Sequence, residues 1–250
     1  MSQRGMAVVT GASSGIGAAT ARRLAAEGFD VVVGARRIER LRELADEIED
    51  ASGGRAVART LDVTDAASVD GFCAEVAECR VLVNNAGGAP RARTGGRGRR
   101  RAVAGDVRQQ RPRALRVTQG LLPRLRAGGD GHIVNIGSIA GFEAYPGGAG
   151  YNAAKFAVRA VTQVLRMELL GEPLRVAEVD PGMVETEFSL VRFGGDEKRA
   201  GHVYEGLTPL TADDVADCVA WAVTRPGHVN IDQIVVRPRD QATATMYNRR

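Results

Sequence analysis

The chain has 250 residues, and its hydrophobic content of 44% suits a globular protein with one large core. No apolar run approaches the roughly 18 residues that span a bilayer, and no signal-peptide pattern opens the chain, so we expect neither a membrane protein nor a secreted one. The three cysteines lack CxxC spacing and the three histidines lack ligand spacing, which argues against disulfide and metal sites. We therefore expect a cytoplasmic protein with free thiols.

The positive charge of the chain is concentrated in one segment. The formal net charge is +4 and the pI is about 9.3, values that would ordinarily suggest an acidic partner. Residues 89–114 contain nine arginines and one acid, Asp106, whereas the rest of the chain carries 25 basic and 29 acidic side chains. The basic character therefore belongs to this segment, hereafter the Arg-rich segment, and not to the protein as a whole.

Apolar runs of strand length alternate with segments of helical periodicity along the chain. The first run, residues 6–10, is followed by a glycine-rich turn and a helical pattern, which is the start of a βαβ unit. Strands are predicted at residues 6–10, 30–35, 55–60, 80–87, 131–138, 174–180 and 230–238, and helices at 15–28, 38–51, 65–78, 115–125, 151–170 and 212–223. This alternation predicts an α/β fold with a doubly wound, Rossmann-type parallel sheet, formed by residues 1–250 as a single domain.

The turn after the first predicted strand has the sequence TGASSGIG, from Thr10 to Gly17. Gly11 permits a tight turn, Gly15 lets the backbone approach a phosphate, and Gly17 lets the helix pack on the strand. The N-terminus of the following helix attracts a pyrophosphate. The pattern indicates a dinucleotide site; the alternative is a glycine turn that merely connects strand and helix.

Two arginines, Arg36 and Arg37, directly follow the second predicted strand. Enzymes that prefer NAD usually have an acidic residue there for the ribose 2′-hydroxyl, whereas an arginine accommodates the 2′-phosphate of NADP. Two guanidinium groups can hold that phosphate through charge-assisted hydrogen bonds. The sequence therefore favours NADP; the alternative is that these arginines only begin a solvated helix.

Tyr151 and Lys155 are four residues apart in a predicted helix, which puts both on one face. A phenol with a reference pKa of about 10 is a poor base at neutral pH, but a nearby ammonium group favours the phenolate and lowers that pKa. Tyr151 could then exchange a proton with a substrate hydroxyl or carbonyl. Such a spacing taken alone is nearly always a surface pair, so its weight depends on the other motifs.

Several motifs in a fixed order together resemble the short-chain dehydrogenase/reductase family. They are TGASSGIG, LDVTD with Asp62, NNAG at 84–87, Ser138 thirteen residues before Tyr151, YNAAK, and DPGMVETEF at 180–188. The resemblance covers essentially the whole chain except residues 89–114. It implies a Rossmann-type fold and hydride transfer between a nicotinamide cofactor and a hydroxy or carbonyl compound.

The resemblance also implies roles for individual residues. Tyr151 is the expected catalytic acid/base, Lys155 tunes it and holds the nicotinamide ribose, and Ser138 positions the carbonyl of the substrate. Hydrogen-bond donors around that oxygen suit the negative charge that develops on it. The expected cofactor-binding residues are Gly11, Ser13, Ser14, Gly15, Ile16 and Gly17 in the glycine turn, Arg36 and Arg37 after the second strand, Asp62 and Val63 at the adenine end, Asn85, Ala86 and Gly87 in the middle, and Tyr151, Lys155, Pro181, Gly182, Val184 and Thr186 around the nicotinamide.

The C-terminal third narrows the resemblance to NADP-dependent 3-hydroxy acid dehydrogenases, which oxidise serine or allo-threonine. The similar stretches are TEFSLVRFGGD, LTADDVADCVAWAV and RPGHVNIDQIVVRP. Arg192, expected on the loop after the nicotinamide site, is the hypothetical partner of the substrate carboxylate because it is a lone arginine in an otherwise apolar run. The alternative is an arginine that pairs with Glu187 or another acid of that loop.

Two alternatives to a 3-hydroxy acid substrate remain open. One is an NADP-dependent reductase of another ketone or aldehyde, and the other is an NADP-binding protein with impaired catalysis. In every case the resemblance implies a small-molecule ligand and a homo-oligomer, either a dimer or a tetramer. It implies no nucleic-acid partner and no membrane partner.

The Arg-rich segment departs from the family, which has an asparagine there in an Asn-Val-x-Gly pattern. Aligning LRVTQGLLP places the missing asparagine near Gln110 and puts Arg113 where glycine is expected. In the family this asparagine holds a water that links the active-site lysine to solvent. Its absence would lower turnover while cofactor binding survives, and it is the basis of the impaired-catalysis alternative.

Three interpretations of the Arg-rich segment compete. A nucleic-acid-binding arm lacks interleaved aromatic residues and would replace a helix that the fold uses for packing, and a solvated insertion conflicts with the undisturbed spacing to Ser138. The third is a shifted reading frame: 32 arginines against two lysines suggest GC-rich codons, and one allowed coding of Gln109 to Arg113, read one base later, gives Asn-Asn-Val-Arg-Gly. Sequencing the gene would overturn the shifted frame if no pair of compensating insertions or deletions restores a family-like segment.

Overall fold

The computed structural model describes residues 4–87, 113–192 and 195–250. Its strands are β1 (Met6–Thr10), β2 (Asp30–Ala35), β3 (Ala56–Thr60), β4 (Val81–Asn84), β5 (Gly131–Ile136), β6 (Leu174–Pro181) and β7 (Gln233–Val236). Its helices are α1 (Gly15–Ala26), α2 (Ile38–Ser52), α3 (Ala66–Glu75), α4 (Arg113–Ala127), α5 (Ala149–Glu168), α6 (Glu187–Arg192), α7 (Glu197–His202) and α8 (Ala212–Val223), with a 3-10 turn at Ile139–Gly141. Most of the Arg-rich segment, Gln110 included, lies outside the described residues.

The strands form one parallel sheet in the order β3-β2-β1-β4-β5-β6-β7. The chain moves outward from β1 to β3, returns to the middle, and then moves outward in the other direction from β4 to β7. This reversal is the topological switch point of a doubly wound sheet, where α/β proteins of this type bind their ligands. The predicted fold class is therefore confirmed.

Both faces of the sheet are covered by helices, as the alternation of strands and helices predicted. Helices α1, α2 and α8 pack on one face, where Leu24, Leu41 and Val219 join a core cluster. Helices α3, α4 and α5 pack on the other face, with Phe72 and Leu121 fully or almost fully buried. Among the described residues, no helix is both long and apolar enough to cross a membrane.

The segment that follows β6 differs from the prediction. Residues of the expected loop form the short helices α6 and α7, and Arg192 is the last residue of α6 rather than a loop residue. Six-residue helices complete fewer than two turns and leave almost no periodic signal in the sequence. By contrast α8 begins and ends as predicted, because Thr211 and Asp214 form a capping box at its N-terminus.

Candidate active site

The predicted site residues gather at one edge of the sheet. Because all the strands are parallel, their carboxyl ends meet at the same edge. The glycine turn follows β1, Arg36 and Arg37 follow β2, Asp62 and Val63 follow β3, Asn85 to Gly87 follow β4, Ser138 follows β5, and Gly182 to Thr186 follow β6. The structure thus brings together side chains that lie far apart in the sequence.

The glycine turn is held in shape by the segment after β4. The side-chain amide of Asn85 donates to the carbonyl oxygens of Thr10 and Gly11 at 3.0 and 3.1 Å. A Cβ at Gly17 would lie 2.5 Å from both the Asn85 Nδ2 atom and the Gly11 oxygen, so no larger side chain fits there. Gly11 has a φ of +68°, which favours glycine. Asn85 therefore stabilises the turn, and its contact with a cofactor stays a prediction.

The N-terminus of α1 carries no side-chain cap. Ser14 is the N-cap residue, but its side chain makes no capping hydrogen bond, and the first turn contains no acidic residue. Gly15, with a φ of +53°, places backbone without a side chain at the same point. The amide groups of a helix N-terminus, with a glycine beside them, fit a pyrophosphate group.

Arg37 contacts both the glycine turn and the segment after β6. Its Nε donates to Ser13 Oγ at 3.1 Å, and its Nη2 donates to Ser14 Oγ at 2.8 Å. Its Nη1 forms an ion pair with Glu187 at 3.0 Å, and Arg40 contacts the same carboxylate at 2.7 Å. Hydrogen bonds from Arg40 and Arg37 lower the pKa of Glu187 to about 2, so this carboxylate is charged throughout the physiological range.

Arg36, Asp62 and Val63 are also predicted to bind the cofactor. Arg36 is exposed and has no hydrogen bond or ion pair with any residue that the structure describes, which leaves its guanidinium group accessible to an anion. Asp62 and Val63 are half-buried at the end of β3. The Asp62 carboxylate accepts the backbone N–H of Thr64 at 2.9 Å and so shapes the turn there.

Ser138 is buried at the end of β5 and is held through its backbone. Its N–H donates to Asp180 Oδ1 at 2.7 Å. Its Oγ accepts the N–H of Ala140 at 3.2 Å and thereby caps the 3-10 turn. The hydroxyl contact with the Pro181 oxygen is long, at 3.5 Å, and therefore weak. The Ser138 hydroxyl can consequently turn toward another acceptor.

Tyr151 and Lys155 lie together on α5, as their spacing predicted. The Lys155 Nζ atom donates to the Ile136 oxygen at 2.9 Å and lies 5.9 Å from the centroid of the Tyr151 ring. Burial lowers the pKa of Lys155 to about 8, although the acids of β6 oppose this shift. Lys155 is therefore still mainly cationic at neutral pH, and this cation lies beside the Tyr151 ring.

Asn152 connects α5 to the segment that carries Ser138. Its side-chain amide donates to the carbonyl oxygens of Ala140 and Glu143 at 2.9 and 3.0 Å. Asn152 is buried and adjacent in sequence to Tyr151. These bonds fix the helix turn that bears the tyrosine relative to the turn that follows the serine.

The segment after β6 lies against the glycine turn. A Cβ at Gly15 would lie 3.3 Å from the Thr186 Cβ. The segment is held from the far end of the chain, because Gln241 Oε1 accepts the Met183 N–H at 2.8 Å. A Cβ at Gly182 would lie 2.3 Å from the same oxygen. Arg192 belongs to this segment, but its side chain lies outside the described part of the structure, so its contact with a substrate stays a prediction.

Comparison with known proteins identifies the family to which this chain belongs. The family model described as short chain dehydrogenase matches residues 5–192. The chain belongs to the short-chain dehydrogenase family. It is therefore an oxidoreductase that depends on NAD or NADP and acts on CH–OH groups. In the described ranges, no group of three or more His, Cys, Asp or Glu side chains is placed to hold a metal ion.

Three relatives are similar to this short-chain dehydrogenase over almost the whole of its chain. An uncharacterized oxidoreductase of Mycobacterium tuberculosis (strain CDC 1551 / Oshkosh) is 52% identical over 247 residues, covering 96% of this chain and 93% of the relative. A sulfoacetaldehyde reductase of Chromohalobacter salexigens is 40% identical over 239 residues and covers 94% of both chains. An NADP-dependent 3-hydroxy acid dehydrogenase of Salmonella typhi is 39% identical over 246 residues, covering 95% of this chain and 96% of the relative.

The fold of this short-chain dehydrogenase is similar to that of solved members of the family. The closed form of a serine dehydrogenase complexed with NADP+ superposes with a TM-score of 0.86 and 35% sequence identity, over 98% of this chain and 99% of that chain. The resemblance inferred from the sequence motifs is therefore confirmed. The predicted relation to 3-hydroxy acid dehydrogenases agrees with the names of these relatives.

Several residues that shape the site were not predicted from the sequence. They include Glu178 and Asp180 on β6, Asn152 on α5, Arg40 on α2, Glu187 on α6, and Gln241 near the C-terminus. The spacing of Asp180 relative to the Pro-Gly pair and the proximity of Asn152 to Tyr151 are local signals that could have indicated two of them. The contact of Gln241 with Met183 spans 58 residues and leaves no local signal.

Proposed function

We propose that the protein transfers a hydride between NADP(H) and a small hydroxy or carbonyl compound that carries an acidic group. Our first candidate is a 3-hydroxy acid such as serine or allo-threonine. The observation that carries the proposal is the position of the Lys155 cation, 5.9 Å from the Tyr151 ring, at the sheet edge where the glycine turn and the arginines also lie. One edge of the sheet thus holds the proposed acid/base Tyr151, the cation Lys155 that would stabilise its phenolate, and the groups proposed to bind the phosphates of the cofactor.

NADP, rather than NAD, is the proposed cofactor. The N-terminus of α1 would receive its pyrophosphate, and Arg36, with Arg37, would receive its 2′-phosphate. No acidic residue stands directly after β2 to repel that phosphate. When bound, the cofactor supplies the hydride for reduction or accepts it in oxidation.

The remaining steps are assigned to side chains of this chain. In the direction of reduction, the phenol of Tyr151 donates a proton to the substrate carbonyl oxygen, and the Lys155 cation stabilises the phenolate that remains. The Ser138 hydroxyl donates a second hydrogen bond to the same oxygen, for which its long contact with Pro181 leaves it free. Two donors at this oxygen stabilise the negative charge that develops on it.

The names of the relatives support an acidic substrate. Sulfoacetaldehyde and the 3-hydroxy acids both carry an anionic group one carbon away from the carbon that reacts. Arg192, at the end of α6 beyond Thr186, is our candidate for the residue that binds this anion. The relative named as a sulfoacetaldehyde reductase makes a sulfonated aldehyde the second candidate substrate.

The test compares substrates that differ only in the acidic group. Purified protein is mixed with NADP and L-serine or allo-threonine, or with NADPH and sulfoacetaldehyde, and the absorbance of the reduced cofactor is followed. Neutral alcohols and aldehydes of the same length serve as controls. We expect turnover with an acidic substrate and at least roughly 10-fold lower kcat/KM with its neutral counterpart, since one charge-assisted hydrogen bond contributes about that factor.

Two variants make this test decisive. Tyr151→Phe should abolish turnover and preserve NADPH binding, and Arg192→Ala should lower kcat/KM for acidic substrates only. Equal loss toward acidic and neutral substrates in Arg192→Ala would remove the anion-binding role. NADPH binding without turnover on any substrate would favour the alternative, in which the family asparagine is missing and catalysis is impaired.

We also propose that the protein forms a homo-oligomer in the cytoplasm. Phe156, Val164, Met167 and Leu170 on or beside α5 are exposed by 42 to 86%, and α4 and α5 together line an apolar groove. Burial of such side chains in a second copy is favourable. Light scattering of the purified protein tests the oligomer, with Met167→Asp expected to shift it toward smaller species.

The proposed location in the cytoplasm agrees with the cysteines. The free thiols Cys73, Cys79 and Cys218 fit a reducing compartment.

A further inference from the structure

Two acidic side chains lie buried beneath the proposed catalytic residues. Glu178 and Asp180 are two positions apart on β6, so both project from the same side of the strand. Glu178 is only 3% exposed and Asp180 is fully buried. Buried carboxyl groups are unfavourable unless they are paired or hydrogen-bonded, so the surroundings of this acid pair require explanation.

Asp180 accepts hydrogen bonds on both of its carboxylate oxygens. Oδ1 accepts the backbone N–H of Ser138 at 2.7 Å, and Oδ2 accepts the side-chain amide of Gln233 at 2.6 Å. Two short bonds of this kind suit an anionic carboxylate. They also fix the backbone at Ser138, whose hydroxyl is proposed to contact the substrate.

Glu178 lies next to Asp180, but its carboxyl group is less well hydrogen-bonded. Its Oε1 atom is buried and has no hydrogen-bond partner among the described residues. A Cβ at Gly137 would lie 1.9 Å from Asp180 Oδ1 and 2.5 Å from Glu178 Oε1, so the two carboxyl groups crowd the same space. Two carboxylates this close cannot both ionise readily. Burial and the neighbouring Asp180 raise the pKa of Glu178 to about 8.

Two cations of one helix act on this pair. Lys155 and Arg159 of α5 interact electrostatically with it, and the hydroxyl of Thr162 is a further polar neighbour. The adjoining positions on the neighbouring strands β5 and β7 are the uncharged Asn135 and Gln233, each in register with Glu178. The acid pair therefore acts electrostatically on Lys155, whose cationic form it favours.

We propose that Glu178 and Asp180 share one proton and together support the active site from beneath. Asp180 positions Ser138 and favours the Lys155 cation, and Glu178 adds a second charge that holds Lys155 cationic when the solution becomes alkaline. Both are positioning residues that act through Ser138 and Lys155. The inference rests on the proposed function of those two residues. It adds a buried acid pair that the motifs did not predict.

The proposal predicts that the effect of replacing Glu178 depends on pH. At neutral pH Glu178 is protonated and uncharged, so replacing it with glutamine changes little. Above pH 8 the wild-type carboxyl loses its proton, and the new negative charge opposes deprotonation of Lys155. A glutamine cannot supply that charge, so Lys155 loses its proton at a lower pH in the variant.

The first experiment does not depend on activity. Infrared difference spectra of wild-type protein against Glu178→Gln report the carbonyl stretch of a protonated carboxylic acid. We expect such a band at pH 7 in the wild type, lost in the variant and lost in the wild type above pH 9. Absence of the band at pH 7 would overturn proton sharing, whatever the enzyme does with substrates.

The second experiment follows kcat/KM against pH for wild type, Glu178→Gln, Asp180→Asn and the control Glu43→Gln, which makes the same change on the exposed face of α2. We expect Glu178→Gln to match wild type within roughly two-fold at pH 7 and to lose activity at least half a pH unit earlier on the alkaline side. Asp180→Asn should lower kcat at every pH by about 10-fold or more, because its new amide would face the Gln233 amide and disturb the support of Ser138. It should also move the alkaline loss of activity to lower pH, because Asp180 favours the Lys155 cation.

These outcomes separate the inference from the proposed function. NADPH binding and circular dichroism check that each variant is folded. A uniform loss at all pH values in Glu178→Gln would show a merely structural role and overturn the inference. Wild-type protein without turnover on any substrate would contradict the proposed function, while the infrared band would still decide whether the acid pair shares a proton.

Discussion

Glu187 and Arg37 form an ion pair of 3.0 Å that joins the first residue of α6 to the loop after β2. Arg40 adds a second contact to the same carboxylate at 2.7 Å. Because Arg37 also donates to Ser13 and Ser14, the pair connects the segment after β6 with the glycine turn. The contact between that segment and the glycine turn therefore uses the same guanidinium group that is proposed to bind the 2′-phosphate.

Replacing Glu187 with glutamine should strengthen binding of NADPH relative to NADH. If Arg37 binds the 2′-phosphate as proposed, the Glu187 carboxylate competes for Arg37 and repels that phosphate, and NADH has no such phosphate. We expect the Kd of NADPH to fall roughly three- to five-fold and that of NADH to change less than about two-fold, since exposed ion pairs are weak. Fluorescence titration of each reduced cofactor measures both constants.

The matched control for this prediction is Glu43→Gln, which removes one exposed negative charge from α2 without touching Arg37 or Arg40. It should leave the ratio of the two dissociation constants unchanged. Weaker NADPH binding by Glu187→Gln would contradict the competition and would show that the ion pair holds the segment over the bound cofactor.

How much of the molecule could be predicted depends on whether the signal is local. The sheet followed from alternating periodicity, and Tyr151 with Lys155 followed from a four-residue spacing on one helix. The support of Ser138 by Asp180 spans 42 residues, and that of Met183 by Gln241 spans 58. Such pairs meet only because parallel strands end at one edge, so neither sequence spacing nor composition indicates them.

The sequence also indicated Arg37 without its partners. A charge pattern shows that a guanidinium group follows β2, but not that Glu187, 150 residues later, occupies one side of it. Arg36 keeps its guanidinium free of partners among the described residues. The two arginines that the motif treats alike therefore differ in the folded protein, and Arg36 is the more accessible to a phosphate.

His132 should make the fold sensitive to acid. It is fully buried on β5, and neither ring nitrogen has a partner within the described ranges. Burial, aided by Arg175, lowers its pKa to about 3. As the pH falls, His132 therefore binds a proton near pH 6.5 in the unfolded chain but only near pH 3 in the folded chain. Stability contributed by the neutral ring is present above pH 6.5 and is lost as the pH falls.

Urea unfolding at a series of pH values measures this effect. Between pH 6 and pH 4 the wild type should lose about 1.4 kcal/mol of unfolding free energy per pH unit through this one group. His132→Leu should show a shallower slope by that amount. His202→Gln, at a side chain that is 82% exposed, should keep the wild-type slope, and an unchanged slope in His132→Leu would contradict the assignment.

Two glycines should respond in opposite ways to the same substitution. At Gly137 a Cβ would lie 1.9 Å from Asp180 Oδ1, so Gly137→Ala must displace a buried carboxylate and should destabilise the protein by about 2 kcal/mol or more. At Gly71, inside α3, a Cβ meets no atom within 4 Å. Gly71→Ala should therefore stabilise by about 0.5–1 kcal/mol, since alanine is the better helix former. Chemical denaturation gives both values, and equal effects would contradict the crowding at Gly137.

Asn152 should affect turnover more than cofactor binding. Its amide donates to the oxygens of Ala140 and Glu143, whereas an aspartate of the same shape cannot donate to either carbonyl and places a negative charge against both. Asn152→Asp should shift the turn after Ser138 relative to Tyr151. A displacement of about 1 Å between reacting groups can lower the rate by a factor of about 100.

The measurement pairs single-turnover hydride transfer with NADPH titration. We expect a decrease in the hydride-transfer rate constant of roughly 10- to 100-fold and a change in the NADPH Kd of less than about three-fold. Asn152→Ala, which removes the donors but adds no charge, should have a smaller effect in the same direction. A loss of NADPH affinity equal to the loss of rate would place Asn152 in the support of the cofactor site instead, because the bonds from its amide would then act on the glycine turn and not on the geometry between Ser138 and Tyr151.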